Sequence, residues 1–265
     1  MLTIILEIIF ALVTGMIAGS YAAQCIIKLP EGGSYKLHKF HCDSCGQELR
    51  FIDIVPIASY VMLNGRCRYC NEKIKPLYPV IEILNCLIYL AIIGIEGFSI
   101  QSILKCLLMT ALVVISIIDI KHKIIPNECN SAIFAIGIIY TLTDKPNVIS
   151  HLLGLVVTLL LVGGLYIITK GKGIGGGDVK MIIACGLLLG VERVTITLAV
   201  ACATALIAQP FVALAQRNTD PTQKKYIPFG PFLSIGIVVS VYFGTMILTK
   251  YNLFYDQILS FFEFF

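Results

Sequence analysis

Two acidic residues stand where an apolar chain should carry none. Asp178 follows the glycine run Gly175-Gly176-Gly177 and opens one apolar stretch; Asp119 closes another. A carboxylate at the edge of a bilayer core is costly and marks a functional position. Two carboxylates a few ångströms apart do not both ionise easily, so they share a proton. One then acts as general base on a water and the other as acid toward a carbonyl oxygen, which is aspartic-protease chemistry. The glycines leave the backbone bare, so Gly175, Gly176 and Gly177 are candidate substrate-binding positions for an extended peptide. The same residues also permit plainer readings. Asp178 can be a helix N-cap, Asp119 can pair with Lys121 or Lys123, and paired membrane carboxylates also serve proton- or metal-ion-coupled transport.

A second constellation is Cys42-Asp43-Ser44-Cys45 and Cys67-Arg68-Tyr69-Cys70, two C-x-x-C pairs with 21 residues between them. That is close to the spacing of a four-thiolate zinc ribbon, with Cys42, Cys45, Cys67 and Cys70 as ligands. Four sulfurs leave no open position for water, so the expected Zn²⁺ is structural. It would tie down a polar loop too small for its own core. His38 and His41 lie nearby, as surface side chains by a lipid headgroup layer or as substitutes for one of the four ligands.

The elements that must position these groups are apolar helices. Hydrophobic residues make up 57% of the 265 and charged residues 14%, with a mean hydropathy of +0.88. A soluble domain of this size needs more charge to cover its surface. The expected fold is all-α: a polytopic membrane bundle of eight spans with a small zinc-binding loop. The spans are Ile4–Ile27, Pro79–Ile95, Ile100–Ile118, Ile124–Leu142, Ser150–Thr169, Val179–Val191, Val194–Leu214 and Gly230–Leu248. The sixth, of about 13 residues, rises only about 20 Å, which sinks Asp178 below the membrane surface. The chain divides into 1–78, the first span plus the cysteine loop, and 79–265, the remaining bundle.

Charge sets the orientation. The first span lacks the basic stretch that precedes a signal-peptide core; the basic residues follow it. With eight spans, loops 28–78, 119–127, 170–180 and 215–229 hold 16 of the 20 Lys and Arg, among them Lys36, Lys39, Arg217, Lys224 and Lys225. The positive-inside rule makes these loops cytoplasmic and puts both termini outside. Asp119 and Asp178 then share the cytoplasmic face. The net charge of +4 is accounted for by loops facing anionic membrane lipid, where each basic residue gains about 1 kcal/mol, and calls for no nucleic acid. Glu82, about one turn into the second span, either reaches the same polar centre or caps a neighbouring helix.

Taken together and in order, these motifs resemble the bacterial type IV prepilin peptidases, membrane aspartic proteases of the G-x-G-D class. The resemblance runs through Gly19-Ser20, Lys28-Leu29-Pro30, both C-x-x-C pairs and Tyr78-Pro79-Val80-Ile81-Glu82. It continues through Asp119 with Ile125-Pro126-Asn127, Gly175 to Lys180, and Pro228-Phe229-Gly230-Pro231-Phe232. It implies a hydrolase of the bacterial inner membrane that cuts the short basic leader from prepilins or pseudopilins, after a glycine and at the cytoplasmic face. It further implies that Asp119 and Asp178 are catalytic and that Cys42, Cys45, Cys67 and Cys70 bind zinc. Many members then methylate the new N-terminal amine with S-adenosylmethionine. The chain departs from the usual pattern at Ala23, where the family has asparagine, and at Lys28, where it has arginine. Both lie in the part linked to methylation.

Overall fold

A computed structural model describes residues 2–31, 41–42, 44–172, 174–215 and 228–263. His38, Lys36, Lys39, Arg217, Lys224 and Lys225 lie outside them, as does Asp43. The described residues form helices α1 (Leu2–Lys28), α2 (Phe51–Ile54), α3 (Ala58–Met62), α4 (Leu77–Glu96), α5 (Ile100–His122) and α6 (Asn127–Thr143). They continue as α7 (Val148–Thr158), α8 (Gly164–Ile168), α9 (Gly176–Ala215) and α10 (Gly230–Glu263). The only pairing between extended segments among them is two isolated antiparallel bridges in the cysteine loop. The chain falls into two compact units, Met1–Ile118 and Asp119–Phe265.

Among the described residues six helical stretches are long and apolar enough to cross a membrane, against eight expected. The difference has two sources. Helix α6 has 17 residues, the same apolar run as the fourth expected span but a little short of the length needed. The expected sixth and seventh spans lie within α9, which is two helices meeting at a kink at Gly190 and counts as one stretch. Gly190 has φ 77° and ψ 173°, a conformation open essentially to glycine alone. The break therefore falls where the apolar pattern is thinnest, just before Glu192 and Arg193, while the chain stays helical on both sides.

In the N-terminal unit, α1 packs antiparallel against α4. Ala11, Gly15, Gly19 and Ala22 recur at helical spacing and are buried. Lipid offers no hydrophobic advantage to a large side chain at such a contact, so close approach of small residues holds the pair. A Cβ on Gly15 would lie 2.8 Å from the Cα of Cys86, and one on Gly19 would lie 2.5 Å from the Cα of Glu82. Polar side chains join α4 to α5. Thr110 Oγ1 donates to Oδ1 of the fully buried Asn85 at 2.7 Å and lies 3.0 Å from the Tyr89 hydroxyl.

In the C-terminal unit, α6, α7 and α10 all pack on α9. Local sequence sets the ends that matter for function. After α5, Lys123 adopts φ 57° and its N–H donates to Asp119 O at 2.9 Å, closing the helix in the left-handed manner. Ile125 cannot easily be helical before a proline, and Pro126 then caps α6.

Leucine at Gly19 is expected to lower the thermal midpoint of the purified protein by several degrees, from overpacking worth about 1–3 kcal/mol. Leucine at Gly94, which has nothing within 4 Å of a built Cβ, is the control and should leave the midpoint unchanged. Equal effects at the two positions would contradict the close α1–α4 contact.

Candidate functional site

The cysteine loop is built twice from one pattern. In the first knuckle Cys42 N–H donates to Gln47 O and Gly46 N–H to Cys42 O, both at 3.0 Å. In the second, Cys67 N–H donates to Glu72 O at 2.8 Å and Asn71 N–H to Cys67 O at 3.0 Å. The residue after each second cysteine is left-handed, Gly46 at φ 69° and Asn71 at φ 60°; glycine and asparagine are the types that tolerate this. Bridges His41–Glu48 and Arg66–Lys73 flank the knuckles. The Arg68 Nε donates to the buried Asp53 carboxylate at 2.7 Å and fastens the second knuckle to α2.

The four sulfurs lie within 4.8 Å of one another, Cys42 and Cys70 at 3.8 Å. A tetrahedral ion bound to sulfur at about 2.3 Å sets its ligands about 3.8 Å apart, so the donor set fits a metal. Such close thiols titrate unequally. Burial acts upward on Cys42, but the backbone N–H groups of Cys45 and Ser44 and the sulfurs of Cys67 and Cys45 outweigh it and bring it to about 7. At Cys70 the backbone N–H of Glu72 acts downward, yet burial and the other three sulfurs push it to about 12. His41 stands beside the cluster without joining it.

A solvent-open cleft lies in the N-terminal unit, between this loop and the adjoining ends of α1 and α4. Its lining mixes cations and acids, with Lys28, Arg68 and Lys73 against Asp53, Glu72 and Glu82. Glu82 is 7% exposed and accepts from Ser20 Oγ at 2.5 Å and from Ile57 N–H at 2.7 Å. Ile57 itself sits at φ 60°, a genuine outlier for a β-branched residue. Ile57 is the N-cap residue of α3, so Glu82 meets the start of a neighbouring helix, the second of its two expected roles. It joins α1 and the loop.

The carboxylates lie in the C-terminal unit. Asp119, on the last turn of α5, is 5% exposed. Its Oδ2 accepts the Gly230 N–H at 2.7 Å, from the start of α10. A Cβ on Gly230 would lie 2.8 Å from that oxygen. Asp178, half-buried in the first turn of α9, lies near enough for the charge of Asp119 to act on it. Its Oδ2 folds over Gly175, where a Cβ would be 2.6 Å away. Among the described residues Asp119 makes no ion pair, and Asp178 accepts no hydrogen bond of the N-cap kind.

Neighbouring contacts pin the α9 end. Gly177 abuts Ile125, whose Cβ would lie 2.9 Å from a Cβ on the glycine. The Asn130 Nδ2 donates to Gly177 O at 3.3 Å and Lys180 Nζ to Asn127 Oδ1 at 2.7 Å. The structure therefore brings Asp119, Asp178 and the glycine run to one edge, and the four cysteines to one centre. Sequence reasoning gave no role to Gly230, Asn130 or Ile57. The Pro228-Phe229-Gly230-Pro231 motif was the available signal for the first.

Residues 13–95 match the Bacterial Peptidase A24 N-terminal domain and residues 106–209 the Type IV leader peptidase family. The chain is 28% identical over 254 residues to the prepilin leader peptidase/N-methyltransferase of Vibrio cholerae serotype O1, covering 91% of this chain and 98% of that protein. It is 26% identical over 250 residues to the protein of the same name from Bacillus subtilis strain 168, covering 93% and 97%. Against the type 4 prepilin-like proteins leader peptide-processing enzyme of Escherichia coli O78:H11 it is 29% identical over 215 residues, covering 79% and 77%. No solved structure matches the chain.

Elemental analysis of the purified protein is expected to find one bound transition-metal ion per chain. Cys42→Ser combined with Cys67→Ser should lose it, since one ligand goes from each knuckle. Full metal content in that double variant would exclude the cluster as the site.

Proposed function

The chain belongs to the type IV leader peptidase family, and we propose that it removes the basic leader peptide from prepilins or pseudopilins by means of Asp119 and Asp178. The observation that carries this is the convergence of both carboxylates on one edge of the C-terminal unit, each resting on a glycine with no Cβ to displace it. The substrate's own apolar helix docks laterally among the spans, and its leader junction meets the aspartates. Gly175, Gly176 and Gly177 offer backbone to the extended segment there. One aspartate takes a proton from water while the other protonates the scissile carbonyl oxygen.

With α6 and each part of α9 crossing the membrane, as in the eight-span arrangement, the basic loops set the sidedness. The thiolate loop and both aspartates then face the cytoplasm, and both termini lie outside. Zn²⁺ is the ion suited to the donor set of Cys42, Cys45, Cys67 and Cys70, and it is structural because all four positions are filled by sulfur. It fixes a loop that has little apolar core of its own.

N-methyl transfer, carried in the names of the Vibrio and Bacillus relatives, is proposed as a second activity at the cleft of the N-terminal unit. The cleft's mixed charge offers S-adenosylmethionine, which would supply the methyl group when bound, cations at Lys28 and Lys73 for its carboxylate and an acid at Glu72 for its cationic groups.

Asp119→Ala and Asp178→Ala are each expected to abolish cleavage of a prepilin in detergent while the protein still accumulates in membranes. Full cleavage by either variant would overturn the assignment, and ion flux in reconstituted vesicles without cleavage would favour transport. Mass measurement of the mature N-terminus, with and without S-adenosylmethionine, reads the second activity. A product that never gains a methyl group would remove it.

A further inference from the structure

We infer that Gly230 is a positioning residue, whose backbone N–H holds Asp119 as the ionised carboxylate and so makes Asp119 the base and Asp178 the proton carrier. This rests on the proposal that these two aspartates cut peptide. The two carboxyl groups are not equivalent. Asp119 Oδ2 accepts the Gly230 N–H at 2.7 Å, a short contact of the charge-assisted kind that favours a deprotonated oxygen. The donor sits at the start of the 34-residue α10, where unsatisfied N–H groups and the helix dipole favour negative charge. Pro231 next to it has no N–H to compete. Asp178, in the first turn of α9, feels that helix's dipole as Asp119 feels that of α10, but it accepts no hydrogen bond among the described residues.

The geometry requires glycine at 230. A Cβ there would lie 2.8 Å from Asp119 Oδ2 and 3.1 Å from Asp119 Cβ. The other charged groups at this edge are Lys121, His122 and Lys123 just after Asp119, Glu128 from α6, and Asp178 and Lys180 from α9. Lys121, His122, Lys123 and Glu128 are exposed, and Lys180 is engaged with Asn127 Oδ1. The Gly230 N–H is therefore the fixed donor that distinguishes the pair.

The proton inventory closes. Asp119 removes a proton from water as the water oxygen bonds to the carbonyl carbon, and the Asp178 proton goes to the carbonyl oxygen, giving a gem-diol. As the C–N bond breaks, the proton on Asp119 passes to the leaving nitrogen. Asp178 recovers one from a gem-diol hydroxyl, and both groups return to their starting states.

Gly230→Ala adds a Cβ and keeps the N–H; Gly230→Pro adds a Cβ and removes it, at a helix position that tolerates proline. Both should cleave more slowly. Losing a donor to the ionised form moves the acid limb of kcat/KM to higher pH. The proline variant should lie about one pH unit above the alanine variant, with KM changed less than about 3-fold. Coincident limbs would overturn the inference. Where neither variant folds, the asparagine pair decides. Asp178→Asn can still donate a hydrogen bond to the carbonyl oxygen and should retain a rate at least about 10-fold above Asp119→Asn, since only the latter removes the base. Equal or reversed rates would overturn the assignment of roles. Wild-type rates in both would instead refute the aspartate dyad itself.

Discussion

A carboxylate buried among apolar helices must be met by a donor or leave, and that constraint organises the C-terminal unit. Asp119 is met by a backbone N–H, not by a lysine. A backbone donor can approach only if the residue that carries it has no side chain in the way, which requires glycine at 230. It must also be unclaimed by its own helix, so it must come from a helix start. The end of α5, the abrupt turn before Pro126 and the beginnings of α9 and α10 are then not independent choices. Each brings a helix terminus, with its unsatisfied polar groups, to the same edge.

The N-terminal unit meets a similar difficulty by other means. Its loop between α1 and α4 is too polar and too short to bury a core, and its order comes from two repeated knuckles whose sulfurs converge on one point. The membrane part of the same unit relies on small residues, with Gly15 and Gly19 letting α1 touch the backbone of α4. One half of the unit is thus held by a few strong directional bonds and the other by close contact over a long helix face.

Side-chain chemistry was legible in the sequence, and backbone chemistry was not. Spacing located the four cysteines, because a knuckle demands two thiols three residues apart. Charge asymmetry and the ends of apolar runs marked Asp119 and Asp178 as partners. The donor to Asp119 left no such mark, because every residue but proline carries an N–H and only the fold selects one. The Ile57 N–H that meets Glu82 was hidden for the same reason, although a helix cap was one of the two roles that the position of Glu82 suggested. Hydropathy sees the dip at Glu192 and Arg193 as a boundary between two helices, and two helices do meet there, at a kink that Gly190 makes possible.

Glu82 has a consequence for how the halves of its unit share stability. Its two oxygens are satisfied from opposite sides, by Ser20 of α1 and by the amide of Ile57 in the loop. An unravelled loop withdraws the Ile57 amide and leaves a carboxylate in α4 short of a partner. By linkage, any ion that ordered the loop would also raise the stability of the α1–α4 pair. The loop and the helix pair then share one equilibrium, with Glu82 as the coupling.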